Sequence, residues 1–109
     1  MSARLYWLLD PDTESVVSEL RSYSPRDAAM KAATRHERRI CLVEVTTGKL
    51  HAFKGERVPL APHEENAFTR RMNLSSKPCV TKLAYRNTGQ PMTRHTLGLA
   101  CEAFRELLS

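Results

Sequence analysis

The stretch SPRDAAMKAATR, residues 24–35, decides how the chain is layered. Ser24 offers a side-chain oxygen to orphan N–H groups, and Pro25 suits a first helical position, where its missing N–H costs nothing. Asp27 complements the positive end of the helix that follows. These signals predict a helix over residues 25–36. Ala28, Ala29, Ala32 and Ala33 fall at i, i+1, i+4 and i+5, with Met30 beside them, and make a thin small-residue face able to lie close against a sheet. Arg26, Lys31, Arg35 and His36 take the rest of the circumference, so the outer face is cationic. Glu37-Arg38-Arg39 leads out of the helix.

The flanking segments supply the sheet. RLYWLL (4–9) and VVSELRSY (16–23) are rich in aromatic and β-branched residues and enclose a turn built on Asp10-Pro11-Asp12, which reads as a β-hairpin. Tyr6 and Trp7 are read as core. RICLVEVTT (39–47) and KLHAFK (49–54) flank Thr47-Gly48, a second hairpin signal in which glycine supplies positive φ. Residues 55–77 carry two prolines and many polar residues without periodicity, and read as a long functional loop. CVTKLAYRN (79–87) is a fifth strand. Thr93 caps a final helix whose stripe is Leu97, Ala100, Cys101, Phe104, Leu107 and Leu108. The order is ββ, α, ββ, loop, β, α, an α+β fold.

At 109 residues, 41% apolar and 27% charged, the composition is that of one folded domain with a single core. The apolar run LYWLL is far short of the roughly 18 to 20 residues of a membrane span, and no signal peptide is read. Cys41, Cys79 and Cys101 form no CxxC, so reduced thiols in an intracellular protein are expected and no disulfide or zinc framework is. His36, His51, His63 and His95 are isolated from one another and from the cysteines, and no phosphate loop or nucleophile elbow is present. Neither an enzyme, nor a metal, nor a cofactor is expected.

The formal net charge of +5 is unevenly spread. Residues 1–20 hold four acids and one base, whereas 21–55 hold eight bases and three acids. Residues 67–94 hold Arg70, Arg71, Lys77, Lys82, Arg86 and Arg94 with no acid. Segregation of this kind marks a polyanion-binding face. Phe68, Met72 and Leu74 share the basic loop, either to meet a partner as an apolar wedge between DNA base steps or to fold back over the core.

With SPRDAAMKAATR, GKLHAFKG and SKPCVTK in this order, the chain resembles the Methanosarcina-type monomeric chromosomal proteins, a family of archaeal and viral DNA-bending architectural proteins, over residues 4–87. The resemblance implies a small pseudo-barrel of five strands and one helix that binds double-stranded DNA as a monomer and bends it with little sequence choice. It further implies DNA contacts at Arg26, Lys31, Arg35, Lys54, Lys77 and Lys82, and places Phe68 near a loop tryptophan that packs on DNA. The sequence departs from the family in reading Gly55-Glu56 where an aromatic usually follows the lysine. It also departs in placing apolar Cys41, Val43 and Val45 where charge is usual, and in adding the C-terminal helix.

The expected site is therefore Arg26, Lys31, Arg35, Lys54, Phe68, Arg70, Arg71, Met72, Lys77 and Lys82, on a DNA-binding domain of residues 1–90. Residues 91–109 form a helical extension that either packs on this domain or pairs with a second copy. The expected place is the chromosome or nucleoid, or a packaged viral genome, and not a membrane. Two other readings stay open: a single-stranded nucleic-acid or RNA binder with aromatics on one sheet face, and a protein-interaction module docking through the last helix.

Overall fold

The computed structural model describes residues 3–35, 38–64, 66–71 and 76–109, with the backbone alone for residues 64, 68 and 69. Its elements are β1 (Arg4–Asp10), β2 (Ser15–Ser22), α1 (Pro25–Thr34), β3 (Arg39–Glu44), β4 (Lys49–Pro59), a 3-10 turn (Pro62–Glu64), α2 (Ala67–Arg71), β5 (Ser76–Asn87), a second 3-10 turn (Arg94–Thr96) and α3 (Leu97–Leu108). All strand pairs are antiparallel and form one sheet in the order β2-β1-β3-β4-β5. The α+β class, the helix after the second strand and the C-terminal helix are as expected. The sheet is open, however, and its edges β2 and β5 do not meet as a barrel would require.

The open sheet follows from its two apolar faces. Side chains alternate along a strand, so Tyr6 and Leu8 point one way and Trp7 and Leu9 the other. Tyr6, Leu8, Leu20, Ile40, Leu42, Phe53 and Val80 pack under α1. Trp7, Leu9, Cys41, Val43, Leu50 and Ala52 pack under α3, with Val45 partly buried beside them. A helix on each face removes both from water, which barrel closure would do for only one.

Helix α1 lies flush because of its alanines. Ser24 Oγ accepts from Asp27 N at 3.1 Å, Pro25 occupies the first turn, and Ala28, Ala29, Ala32 and Ala33 are all buried. A longer side chain at any of the four would push the axis off the sheet. The helix ends at Thr34 with Arg35 as its cap, and His36 and Glu37 lie outside the described residues.

The reading of residues 55–77 as loop is corrected at both ends. Strand β4 runs on to Pro59 and β5 begins at Ser76, with Gly55 opposite Val80, Arg57 opposite Pro78 and Pro59 opposite Ser76. Because β3 pairs with β4 only as far as Lys54, this outer part is a two-stranded ribbon beyond the sheet. Apart from Val80 under α1 it has no core to face, so it carries no alternation of apolar residues. Its prolines sit where a missing N–H is tolerated, Pro59 at a strand end and Pro78 on the edge strand. The connection between the strands contains α2. Met72 and Leu74 lie outside the described residues, as does the Phe68 side chain.

The segment after β5 is tied back to the β3–β4 turn. Met92 N donates to Val45 O at 2.7 Å, and Thr88 Oγ1 donates to Gly48 O at 2.9 Å. Gly48 adopts φ +74°, and a Cβ there would stand 1.9 Å from Gln90 O. The turn therefore needs glycine both for its backbone angle and for the close passage of this segment. Thr93 then caps the 3-10 turn through a reciprocal pair of bonds with Thr96, and α3 follows. Its apolar stripe is spent on the sheet, with Ala100, Cys101 and Phe104 buried.

Candidate nucleic-acid interface

The predicted cations fall on α1 with its cap, on the β4–β5 hairpin and on α2 between its strands. Arg26, Lys31 and Arg35 project from the outer side of α1, while Lys54, Lys77 and Lys82 lie on the β4–β5 hairpin and Arg70 and Arg71 on exposed α2. Register divides the hairpin set. Lys82 pairs with Phe53, on the α1 side of the sheet; Lys54 pairs with Thr81 and Lys77 with Val58, on the opposite side. The β4–β5 hairpin thus carries positive charge on both of its faces.

Local bonds show how free each cation is. Lys31 Nζ donates to Arg21 O at 2.7 Å and lies 3.6 Å from Asp27 Oδ2, and Arg35 Nη1 donates to Ser18 Oγ at 3.1 Å. These two therefore have partners inside the fold. Lys54 pairs with Glu56 at 2.8 Å, a contact that holds its pKa above the usual lysine value. Among the described residues no ion pair holds Arg26, Arg70, Arg71 or Lys82. Exposed pairs of this kind contribute little and are readily exchanged for phosphate contacts.

The α3 side is different in charge. Arg105 pairs with Glu14 at 3.3 Å and donates to Pro11 O, and Arg86 pairs with Glu106 at 3.2 Å. Arg94 stacks over Trp7, whose Nε1 donates to Glu19 at 3.1 Å. The cations here are largely matched by acids or rings.

A buried polar group lies on the α1 side of the sheet, at the end where β2 runs out. Arg4 Nε contacts Glu44 Oε1 at 3.5 Å, while Glu44 Oε2, Tyr6 Oη, Ser22 Oγ and both His51 ring nitrogens are buried without hydrogen-bond partners. Burial, reinforced by the Glu44 carboxylate, raises the Tyr6 pKa; Arg4 opposes this from nearby without reaching hydrogen-bond geometry. Burial likewise lowers the His51 pKa to about 4, helped by Lys82 and Lys49 and opposed by Glu44. His51 is thus a neutral ring at ordinary pH. It meets Tyr85 with centroids 5.1 Å apart, and Lys82 Nζ lies over the same tyrosine at 5.0 Å.

Arg57, Tyr85 and Lys49 escaped the sequence reading, which named Lys82 among their neighbours. Arg57, bonded to Ser76 through Nε and Nη2, was hidden in the unpatterned ribbon. Lys82 and Tyr85 are three apart and would point to opposite faces of a regular strand. A bulge opposite Ala52 and Phe53 leaves Leu83 unpaired and brings the two onto one face. The third, Lys49, pairs with Asn87 beyond Tyr85.

Among the described residues no three or more His, Cys, Asp or Glu side chains gather to hold a metal, and no helix is long and apolar enough to cross a membrane. Comparison with protein-family models, with curated proteins and with solved structures found no match.

Proposed function

We propose that the chain is an architectural protein that binds double-stranded DNA through its phosphates, with little sequence choice, and bends it. The observation that carries this reading is the division of charge between the layers. Helix α1, α2 and the β4–β5 hairpin present Arg26, Arg70, Arg71 and Lys82 without ion pairs among the described residues, whereas the cations beside α3 are largely matched by acids or rings. A two-stranded ribbon is also of a size that a DNA groove admits, and Arg57 on one of its faces with Lys77 on the other suits contact with both walls. Helices over both faces speak against a single-strand binder that stacks several bases on an open sheet. The spent α3 stripe speaks for a monomer. Lys31, Arg35, Lys54 and Lys77 belong to the same proposed surface, each by exchanging local partners for phosphates.

The test is a titration of a linear duplex at several salt concentrations, run beside a fluorescence-transfer measurement of end-to-end distance. Four to eight phosphate contacts give a log–log slope of about −4 to −7, from roughly −0.9 per contact. Arg26→Ala lowers affinity and makes the slope shallower by about one. A wild-type slope shallower than about −2 overturns the phosphate reading, and unchanged end-to-end distance at saturation overturns bending.

A further inference from the structure

Tyr85 is 45% exposed although it lies on a paired strand, near the end of β5 and on the side of the sheet that α1 covers. Two features hold its ring in place. His51, on the adjacent strand, supports it from the sheet as a buried neutral ring, and the Leu83 bulge turns Lys82 onto the same face. Lys49 lies on that face too, two residues from His51, and both lysines act on the His51 ring. An aromatic ring held by a rigid strand, partly open to solvent and flanked by two cations, has the chemistry that takes a nucleobase: the ring stacks on the base while the ammonium groups meet the phosphates on either side.

We infer that Tyr85, supported by His51 and flanked by Lys82 and Lys49, is a stacking site for an unpaired or unstacked base of duplex DNA. The inference rests on the duplex-binding reading and adds a preference for distorted DNA. The ammonium of Lys82 rests over the ring in the free protein. Its stem is flexible and its contact with the ring weak, so a phosphate can draw it aside and leave the ring to a base. A single site of this kind anchors one displaced base and does not track a strand, which separates it from the open stacking platforms of single-strand binders.

The experiment compares, by fluorescence anisotropy, a fully paired duplex with the same duplex carrying one extrahelical thymine. Stacking one base on an aromatic ring strengthens binding by roughly 5- to 150-fold, so the wild type should favour the bulged duplex by about tenfold. Tyr85→Ala should abolish that preference and leave affinity for the paired duplex within about twofold, and Tyr85→Phe should keep the preference, since the ring and not the hydroxyl stacks. Tyr85→Leu, which still covers His51, replaces the alanine variant if circular dichroism shows that one to be unfolded. Equal wild-type affinity for the two duplexes, a preference that survives Tyr85→Leu, or its loss in Tyr85→Phe overturns the stacking site alone. Failure to bind either duplex overturns the duplex reading and the stacking site together.

Discussion

Replacing Phe104 by alanine is the most direct probe of how the C-terminal helix belongs to the fold. Phe104 is fully buried against the face formed by Trp7, Leu9, Cys41, Val43 and Leu50. A buried phenylalanine removes roughly 150 to 250 Å² from water, and at about 25 cal/mol per Å² the ring contributes around 4 to 6 kcal/mol. Alanine keeps a small part of this, and the cavity left behind adds its own cost, so the expected loss is about 3 to 5 kcal/mol. For a domain of this size that lowers Tm by roughly 12 to 25 °C. Urea unfolding followed by far-ultraviolet circular dichroism and by Trp7 fluorescence measures the loss. Because Trp7 lies in the same cluster, both probes should give one coincident transition in wild type and variant alike. A loss under about 1 kcal/mol, or separate transitions for helix and tryptophan in the wild type, would show that α3 is not part of one cooperative core.

Glycine-to-alanine changes at the two positive-φ glycines should differ sharply. Gly48→Ala forces a Cβ to within 1.9 Å of Gln90 O and 2.3 Å of Thr88 Oγ1, and should cost more than about 2 kcal/mol. Gly89→Ala has the same φ of +74° with nothing within 4 Å of the added carbon, and should cost only about 1 kcal/mol; denaturant titration ranks the pair, and equal losses would contradict the close passage. Burial holds the folded-state pKa of His51 at about 4, below the 6.5 of a free side chain, so the unfolded chain takes up the proton first as pH falls. The stability owed to neutral His51 is therefore complete above about pH 6.5 and drains away toward pH 4, by up to about 3 kcal/mol. His51→Phe should flatten this part of the stability–pH curve, and an equally steep curve in the variant would place the titration elsewhere.

What was legible in the sequence depended on whether a core imposed a pattern. The alanine spacing of 28, 29, 32 and 33, the Ser24 cap and the α3 stripe each report burial directly, and each is found where expected. The ribbon of residues 55–59 and 76–80 has almost no core to face, so its strands looked like loop. The open sheet was missed because the resemblance implied a pseudo-barrel, while the apolar residues Cys41, Val43 and Val45 already signalled a second covered face. For the proposed site, residue type showed which side chains are cationic but not which were engaged within the fold. Lys31 bonds a backbone carbonyl ten residues earlier in the chain, and a strand bulge turned Lys82 toward Tyr85; neither can be read from spacing.

The arrangement of two covers on one sheet has a consequence for biosynthesis. The cover of the Trp7 face is α3, the last made of the elements described, although the face itself is assembled from strands that begin at Arg4. During translation, at about 5 to 20 residues per second, that apolar surface has no partner from its own chain for seconds. A chain stopped before residue 97 keeps the Ala-faced helix and all five strands yet shows water one side of its sheet, an invitation to chaperones and to aggregation with its own kind.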